Sequence, residues 1–418
     1  MVQQLRMSGL HHFLSRPFRS FYSAQVVSYF GDSMLTLALP FLVLQLTGSG
    51  ILMGVVGMAE TLPLFLFAIP AGLLADWGDR HSLIIMADFG RAALWILIPV
   101  SLWLNHGVMI TILFIVFITS LLGVVFNSAY LGSEQALWPT SQLNFVNSYI
   151  EAGESAAYMI GPVITGAMIH FWSITVPLIL NALSFALSGS LLRKVIPRSP
   201  TTPLSSLAPS WSSITKDMKE AMSWIRKNSL LKEATILWAF HRLIFASLIP
   251  ALTYLVIHSF HDSSPYLGLI ITLYAAGSLV GTSLQPHTPG QWPLWNFVAM
   301  ALSGIAACVA GLWGAIPWVL MASIGSLGCS EGYILVYYLT KRSMESQPSL
   351  SGRIYSITAG ITQGFGSLGF LITGTLLSLL GAPQTWDVIG TSALLTAAMF
   401  IISRWGKTPE TDLPKRPS

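Results

Sequence analysis

The sequence predicts an all-α integral membrane protein with twelve transmembrane helices in two six-helix bundles. Three observations carry this: 53% of the 418 residues are hydrophobic and only 9% charged, the apolar runs are of spanning length, and Lys and Arg fall almost wholly between alternate runs. A soluble domain needs about 25% charged residues to keep its surface wetted. A chain with 9% must turn most of its surface to lipid.

An apolar helix needs about 20 residues to cross the hydrocarbon core. Twelve such runs lie near 20–46, 50–75, 82–104, 108–131, 145–170, 173–193, 233–257, 264–285, 294–314, 316–340, 353–380 and 386–404. In lipid, backbone groups are satisfied only by helices or closed barrels, and continuous apolar runs of this length exclude a barrel. The polar, basic stretch up to Arg19, followed at once by a run long enough to span, predicts no cleavable leader.

The runs divide six and six around the longest polar stretch. The expected organisation is a first bundle at 1–193, a linker at 194–232, a second bundle at 233–406 and a tail at 407–418. Pro197 to Pro209 is rich in Pro, Ser and Thr and reads as a connector. After it, Trp211, Ile214, Met218 and Ile225 fall at helical spacing, with Lys216, Lys219, Arg226 and Lys227 between them. That pattern predicts an amphipathic helix lying on the membrane surface.

Charge sets the orientation. Nineteen of the 21 Lys and Arg residues lie in the termini and the connections of one face, the other two being Arg91 and Arg242 inside spans. Basic loops stay cytoplasmic, so both termini are expected in the cytoplasm. The net charge of +4 then marks topology and predicts no nucleic-acid partner. Cys308 and Cys329 both sit in apolar runs, which argues against a disulfide framework.

Gly72-Leu73-Leu74-Ala75-Asp76-Trp77-Gly78-Asp79-Arg80-His81 resembles the signature that the major facilitator superfamily carries between its second and third helices. The form Gly-x-Leu-Ala-Asp-x-x-Asp-Arg is similar to the branch of enterobactin-type siderophore exporters and macrolide efflux pumps. Phe18-Arg19 leading into Ser28-Tyr29-Phe30-Gly31-Asp32, then Ala38-Leu39-Pro40 and Leu46-Thr47-Gly48-Ser49, resembles that branch too, as do Asp88 with Arg91 and the stretch from Glu220 to Leu231. The second half matches by architecture. Trp77 and His81 stand where the family has basic residues, and the loop from Gln285 to Pro293 has no charge. Of the drug-antiporter signature in the fifth helix, only Gly161-Pro162 and Gly166 remain.

The resemblance implies the major facilitator fold and a gating role for Gly72, Asp76, Asp79 and Arg80. Physically, Asp76 can cap a helix N-terminus and pair with a nearby Arg as a latch that breaks when the halves rock. A turn cap that merely marks topology is the alternative.

Charges within spans point to the working site. Each costs roughly 3 kcal/mol at the bilayer centre, so they should face a wet cavity or a partner. The acids are Asp32, Glu60, Asp88, Glu151, Glu154 and Glu331. Arg91 follows Asp88 by three residues on one helix face, which predicts a structural charge pair. Glu151 and Glu154, near the end of the fifth span, are expected to snorkel to water.

Asp32, Glu60 and Glu331 are the candidates for coupling or cation recognition. Desolvation favours the neutral form of a carboxyl, which suits reversible proton carriage; an interhelical hydrogen bond is the alternative for each. Arg242, beside His241, is expected to neutralise one of these acids or to hold an anionic group. Trp238, Tyr254 and Tyr274 are pore or packing residues.

Gly364-Phe365-Gly366-Ser367-Leu368-Gly369 fits G-x-G-x-x-G. It lies inside a span rather than after a strand, so it predicts close helix packing and not dinucleotide binding. There is no Walker A sequence, metal-ligand spacing or nucleophile elbow, and the histidines, His11-His12 included, are scattered. The expectation is therefore no enzyme, no cofactor and no metal.

The resemblance implies a secondary active exporter of an amphipathic drug or siderophore in the bacterial inner membrane, and the buried acids imply that protons moving inward drive it; a monomer is expected. An importer or lipid flippase on the same fold, or a receptor that transports nothing, are the alternatives.

Overall fold

The computed structural model describes residues 16–198, 211–260, 264–287, 294–346 and 350–404. Arg6, His11-His12, most of the Pro197–Pro209 connector and the 407–418 tail lie outside the described residues. Within the helices, the side chains of Asp76, Trp77, Trp211, Ile214 and Lys216 are also outside them.

Fourteen α-helices are described: α1 Arg16–Thr47, α2 Gly50–Trp77, α3 Arg80–Leu104, α4 Val108–Leu137, α5 Thr140–Phe171, α6 Thr175–Leu192 and α7 Trp211–Lys227, then α8 Ser229–Phe245, α9 Leu248–Phe260, α10 Ser264–Leu284, α11 Leu294–Trp313, α12 Pro317–Met344, α13 Ser351–Leu380 and α14 Ala382–Arg404. Helices α8 and α9 together make the seventh span, and α7 is the amphipathic helix of the linker. Eleven described spans are long and apolar enough to cross a membrane. Helix α5, with 32 residues, supplies the twelfth; Glu151, Glu154 and its polar first turns interrupt its apolar run.

Local chemistry fixes the helix starts. Ser49 caps α2 by accepting from the Leu52 N–H, and Asn228 caps α8 by accepting from the Leu231 N–H at 2.9 Å. The turn between α1 and α2 is only Gly48-Ser49, and Gly48 takes φ +62° there, where a side chain would be strained. The seventh span breaks at Ala246-Ser247, which the apolar pattern did not predict. Pro250 is the reason: it has no N–H to return to the Ala246 carbonyl and its ring collides there.

In the first bundle α1 packs on α5 and α6, α2 on α4, and α3 on α4 and α6. In the second, α8 packs on α12 and α13, α10 on α12, and α11 on α12 and α14. Phe21, Trp95 and Phe185 centre the first interior, and Phe297, Leu320 and Trp386 the second. Outward, Trp103 (83% exposed), Trp318 (78%) and Leu395 (71%) belong to the lipid-facing belt.

The bundles meet along α2 with α13, α5 with α10 and α1 with α9. Helices alternate direction, so the termini and basic connections define one face. Against the opposite face the contact is at backbone level: a Cβ on Gly374 would come 2.6 Å from the Gly50 carbonyl oxygen. On the second seam, Ser264 Oγ donates to the Gly166 carbonyl at 3.1 Å and Thr272 Oγ1 to the Met159 carbonyl at 2.7 Å. Toward the basic face α2 and α13 part. A Cβ on Gly364 would be 3.2 Å from the Phe65 ring, one on Gly360 4.0 Å, and one on Gly72 would meet nothing within 4 Å. A crevice therefore opens between the bundles on the basic face.

Candidate functional site

The crevice is lined by charge from both bundles. Glu60, midway along α2, is exposed despite its depth in the span, and Asp32 of α1, Arg242 of α8 and Glu331 of α12 are half-buried. Arg242 stands within electrostatic reach of both Glu331, from its own bundle, and Glu60, from the other. Its Nη2 donates to Gln363 Oε1 of α13 at 3.3 Å. Gly366 makes room for the guanidinium, since a Cβ there would lie 3.3 Å from both Nε and Nη2. The Glu331 Oε2 atom is buried with no hydrogen-bond partner among the described residues.

Asp32 interacts with Glu60, Arg91 and Asp88 through the interior of the first bundle. On the same wall the Tyr29 hydroxyl is within hydrogen-bonding reach of Glu154, and Tyr158 lies in the field of Asp32, Glu154 and Glu60. Glu154 thus joins the acidic wall, while Glu151, one turn nearer the basic face, is exposed.

The G-x-G-x-x-G segment is where α13 meets two helices at once. Gly364 faces Phe65 of α2, Ser367 Oγ bonds Thr61 Oγ1 at 2.7 Å, and Gly369 abuts the Leu243 backbone of α8. Small residues here permit close helix approach.

Asp88 and Arg91 lie apart from the crevice. They form a direct ion pair, Asp88 fully buried, with the Arg91 guanidinium 4.6 Å from the Phe126 ring centroid and 4.1 Å from that of Phe185. His241 is stacked on Trp238 (5.1 Å) and turned into the core, and Trp238 stacks in turn on Tyr338. Tyr254 stacks on His258 at the far face.

At the α2–α3 turn the cap of α3 is Asp79, whose Oδ2 accepts from the Ser82 N–H (3.2 Å) and Oγ (2.6 Å). Arg80 bridges the ends of α2 and α4, donating from Nε to the Ala75 carbonyl (3.3 Å) and from Nη1 to the Gly132 carbonyl (3.0 Å). Both of these partners belong to the first bundle.

Sequence reasoning passed over Gln363 and Thr61, although a lone amide in a span is a legible signal, and read Ser367 only as part of a close-packing segment. It also passed over Asp387 in α14, which lies against Gly311, and the buried Glu134 of α4.

Paired carboxylates and one guanidinium in a wet crevice, reached from one face between two helical bundles, can bind a solute and exchange protons. The fold and site define a membrane carrier, not an enzyme. The chain belongs to the Major Facilitator Superfamily, whose family model matches residues 21–368. It is similar to macrolide efflux protein A of Streptococcus pyogenes, 20% identical over 91% of this chain and 94% of that protein. It also resembles the multidrug efflux pump Tap of Mycobacterium tuberculosis, 23% identical over 90% and 91%.

Among solved structures, the nucleoside transporter NupG superposes with a TM-score of 0.71 at 13% identity, covering 93% of this chain and 99% of that one. A bacterial homologue of the human lysosomal transporter Spinster, in an inward-facing and unoccupied conformation, gives 0.71 at 14% identity, covering 93% and 94%.

Proposed function

We propose that this protein is a proton-coupled exporter of amphipathic small molecules, drugs or siderophores, acting as a monomer in the bacterial inner membrane with both termini in the cytoplasm. The single observation that carries the reading is the Arg242 guanidinium within electrostatic reach of both Glu331 of its own bundle and Glu60 of the other. Such a group ties the state of each acid to the spacing of the bundles. Protonating Glu60 removes its attraction for Arg242 and frees the bundles to re-seat; releasing the proton restores it. Asp32, on the same wall, takes part in coupling or in holding a cationic portion of the cargo.

Basic loops mark the cytoplasmic face, so the crevice is open inward, where an exporter collects its cargo. Rocking one bundle against the other would then expose the same site outward. Similarity to two efflux proteins supports export. The superposition on a nucleoside transporter keeps import as the second reading, with lipid flipping a variant of it.

Cell accumulation tests direction. Deleting the gene should raise the cellular level of cargo and restoring it should lower that level; the reverse pattern indicates an importer. A receptor that transports nothing would keep its response after Asp32, Glu60 and Glu331 are neutralised together.

A further inference from the structure

Outside the crevice, the transport mechanism leaves unused a groove of about 630 Å³ between α7 and the start of α13. We propose that it is a binding site for one anionic phospholipid, headgroup phosphate on Lys219, Arg226 and Lys227, acyl chain along Met218, Met222 and Ile357.

The lining divides by chemistry. Lys219, Ser223, Arg226 and Lys227 follow one another at i, i+4, i+7 and i+8, which puts them on one stripe of α7. Met218 and Met222 form the neighbouring stripe, which, with the buried Ala221 and Ile225, turns toward Ile354 and Ile357 of α13. Among the described residues no acid lines the groove, and Glu220 is exposed outside it. The site therefore offers three cations beside an apolar floor. A free phosphate would use the first and leave the second bare, whereas an anionic lipid uses both.

Depth supports the same occupant. The eleventh span begins at Arg353, so Ile357 lies one turn inside it, at the boundary between headgroup and acyl chain. Amphipathic helices with basic polar faces bind at this level, and clustered Lys and Arg there attract anionic lipid. The groove is also built rather than hung on a loose helix. Trp224 Nε1 donates to the Glu345 carbonyl at 2.9 Å and Asn228 Nδ2 to Glu345 Oε2 at 3.0 Å, fixing the end of α7 to the end of α12. A lipid seated here would brace α7 against the second bundle. The inference does not depend on cargo or on direction of transport.

The test is titration of fluorescent phosphatidylglycerol into the purified full-length protein in detergent, with phosphatidylcholine, inorganic phosphate and glycerol phosphate as separate arms. Phosphatidylglycerol should bind saturably and raise the melting temperature, while the other three should not. Replacing Lys219, Arg226 and Lys227 together by Gln should weaken binding at least about tenfold. Removing the same charge at Arg193, Lys194 and Arg198 should not. Should the triple variant fold poorly, Ser223→Glu places an acid in the groove from an exposed position and should weaken binding alone. Unchanged phosphatidylglycerol binding in the groove variants overturns the proposal. So does equal loss in the control variant, or equal stabilisation by either soluble phosphate.

Discussion

Thr61 of α2 and Ser367 of α13 share a 2.7 Å hydrogen bond that ties the two bundles together at the floor of the crevice. It stands one residue from Glu60 and one from Gly366, the glycine that seats Arg242, so bundle spacing and site charge are set in the same place. Interhelical hydrogen bonds in membranes average about 0.6 kcal/mol. Thr61→Val should therefore weaken the state that is open on the basic face slightly, and adding Ser367→Ala should cost little more. A double-mutant cycle on melting temperature in detergent checks the coupling; strictly additive effects would deny it.

The seam at the far face is tighter and should be less forgiving. Gly54 and Gly374 approach at backbone level, and Gly54→Leu has no room there. The variant should favour the state in which that seam is open and the basic face closed. Spin labels at Asn147→Cys on α5 and Ser283→Cys on α10, with both native cysteines replaced, would report it. The distance between them should shorten in Gly54→Leu relative to the parent.

Gly366→Val should act on transport through Arg242. The added side chain displaces a guanidinium that bonds Gln363 and faces Glu60 and Glu331. A hydrogen bond to a charged group contributes about 1.5–3 kcal/mol, so transport should fall roughly tenfold or more with the fold intact. Gln363→Leu should reproduce part of the loss. Initial uptake rates into inverted vesicles, beside melting temperatures, separate this from simple destabilisation.

Asp88 and Arg91 should behave in the opposite way, governing folding more than transport. Asp88→Asn leaves the Arg91 charge under two rings without its direct ion-pair partner. Removing one member of a buried pair costs about 3–5 kcal/mol. The single variant should lose yield and thermal stability, and Asp88→Leu with Arg91→Met should recover much of both. Stability equal to the parent in the single variant would contradict this.

The spans were legible because lipid forces each crossing to be long and apolar. Nearly every helix end lies within a few residues of the apolar run that predicts it. Helix α7 was legible from Met218 and Ile225 at helical spacing, with basic residues such as Lys219 among them. The break in the seventh span was written in Pro250 but hidden by the hydropathy around it.

The candidate site was legible only in part. An acid in mid-span marks itself by its cost, which is why Glu60, Glu331 and Asp32 stood out. Periodicity, however, gives a face and not the partner across it, so Gln363 and Thr61 passed as ordinary polar residues and Ser367 as a packing position without its partner. At the α2–α3 turn, sequence reasoning assigned the capping role to Asp76, which instead lies in the last turn of α2. The cap is Asp79, because it directly precedes α3.

The central claim is that the acids of the crevice couple protons to cargo. The most direct measurement is proton flux in proteoliposomes carrying a pH-sensitive dye, challenged with amphipathic compounds and siderophores. The account predicts a compound-dependent flux that is abolished when Asp32, Glu60 and Glu331 are neutralised together. Folded protein giving no compound-dependent flux, or undiminished flux in that triple variant, would contradict it.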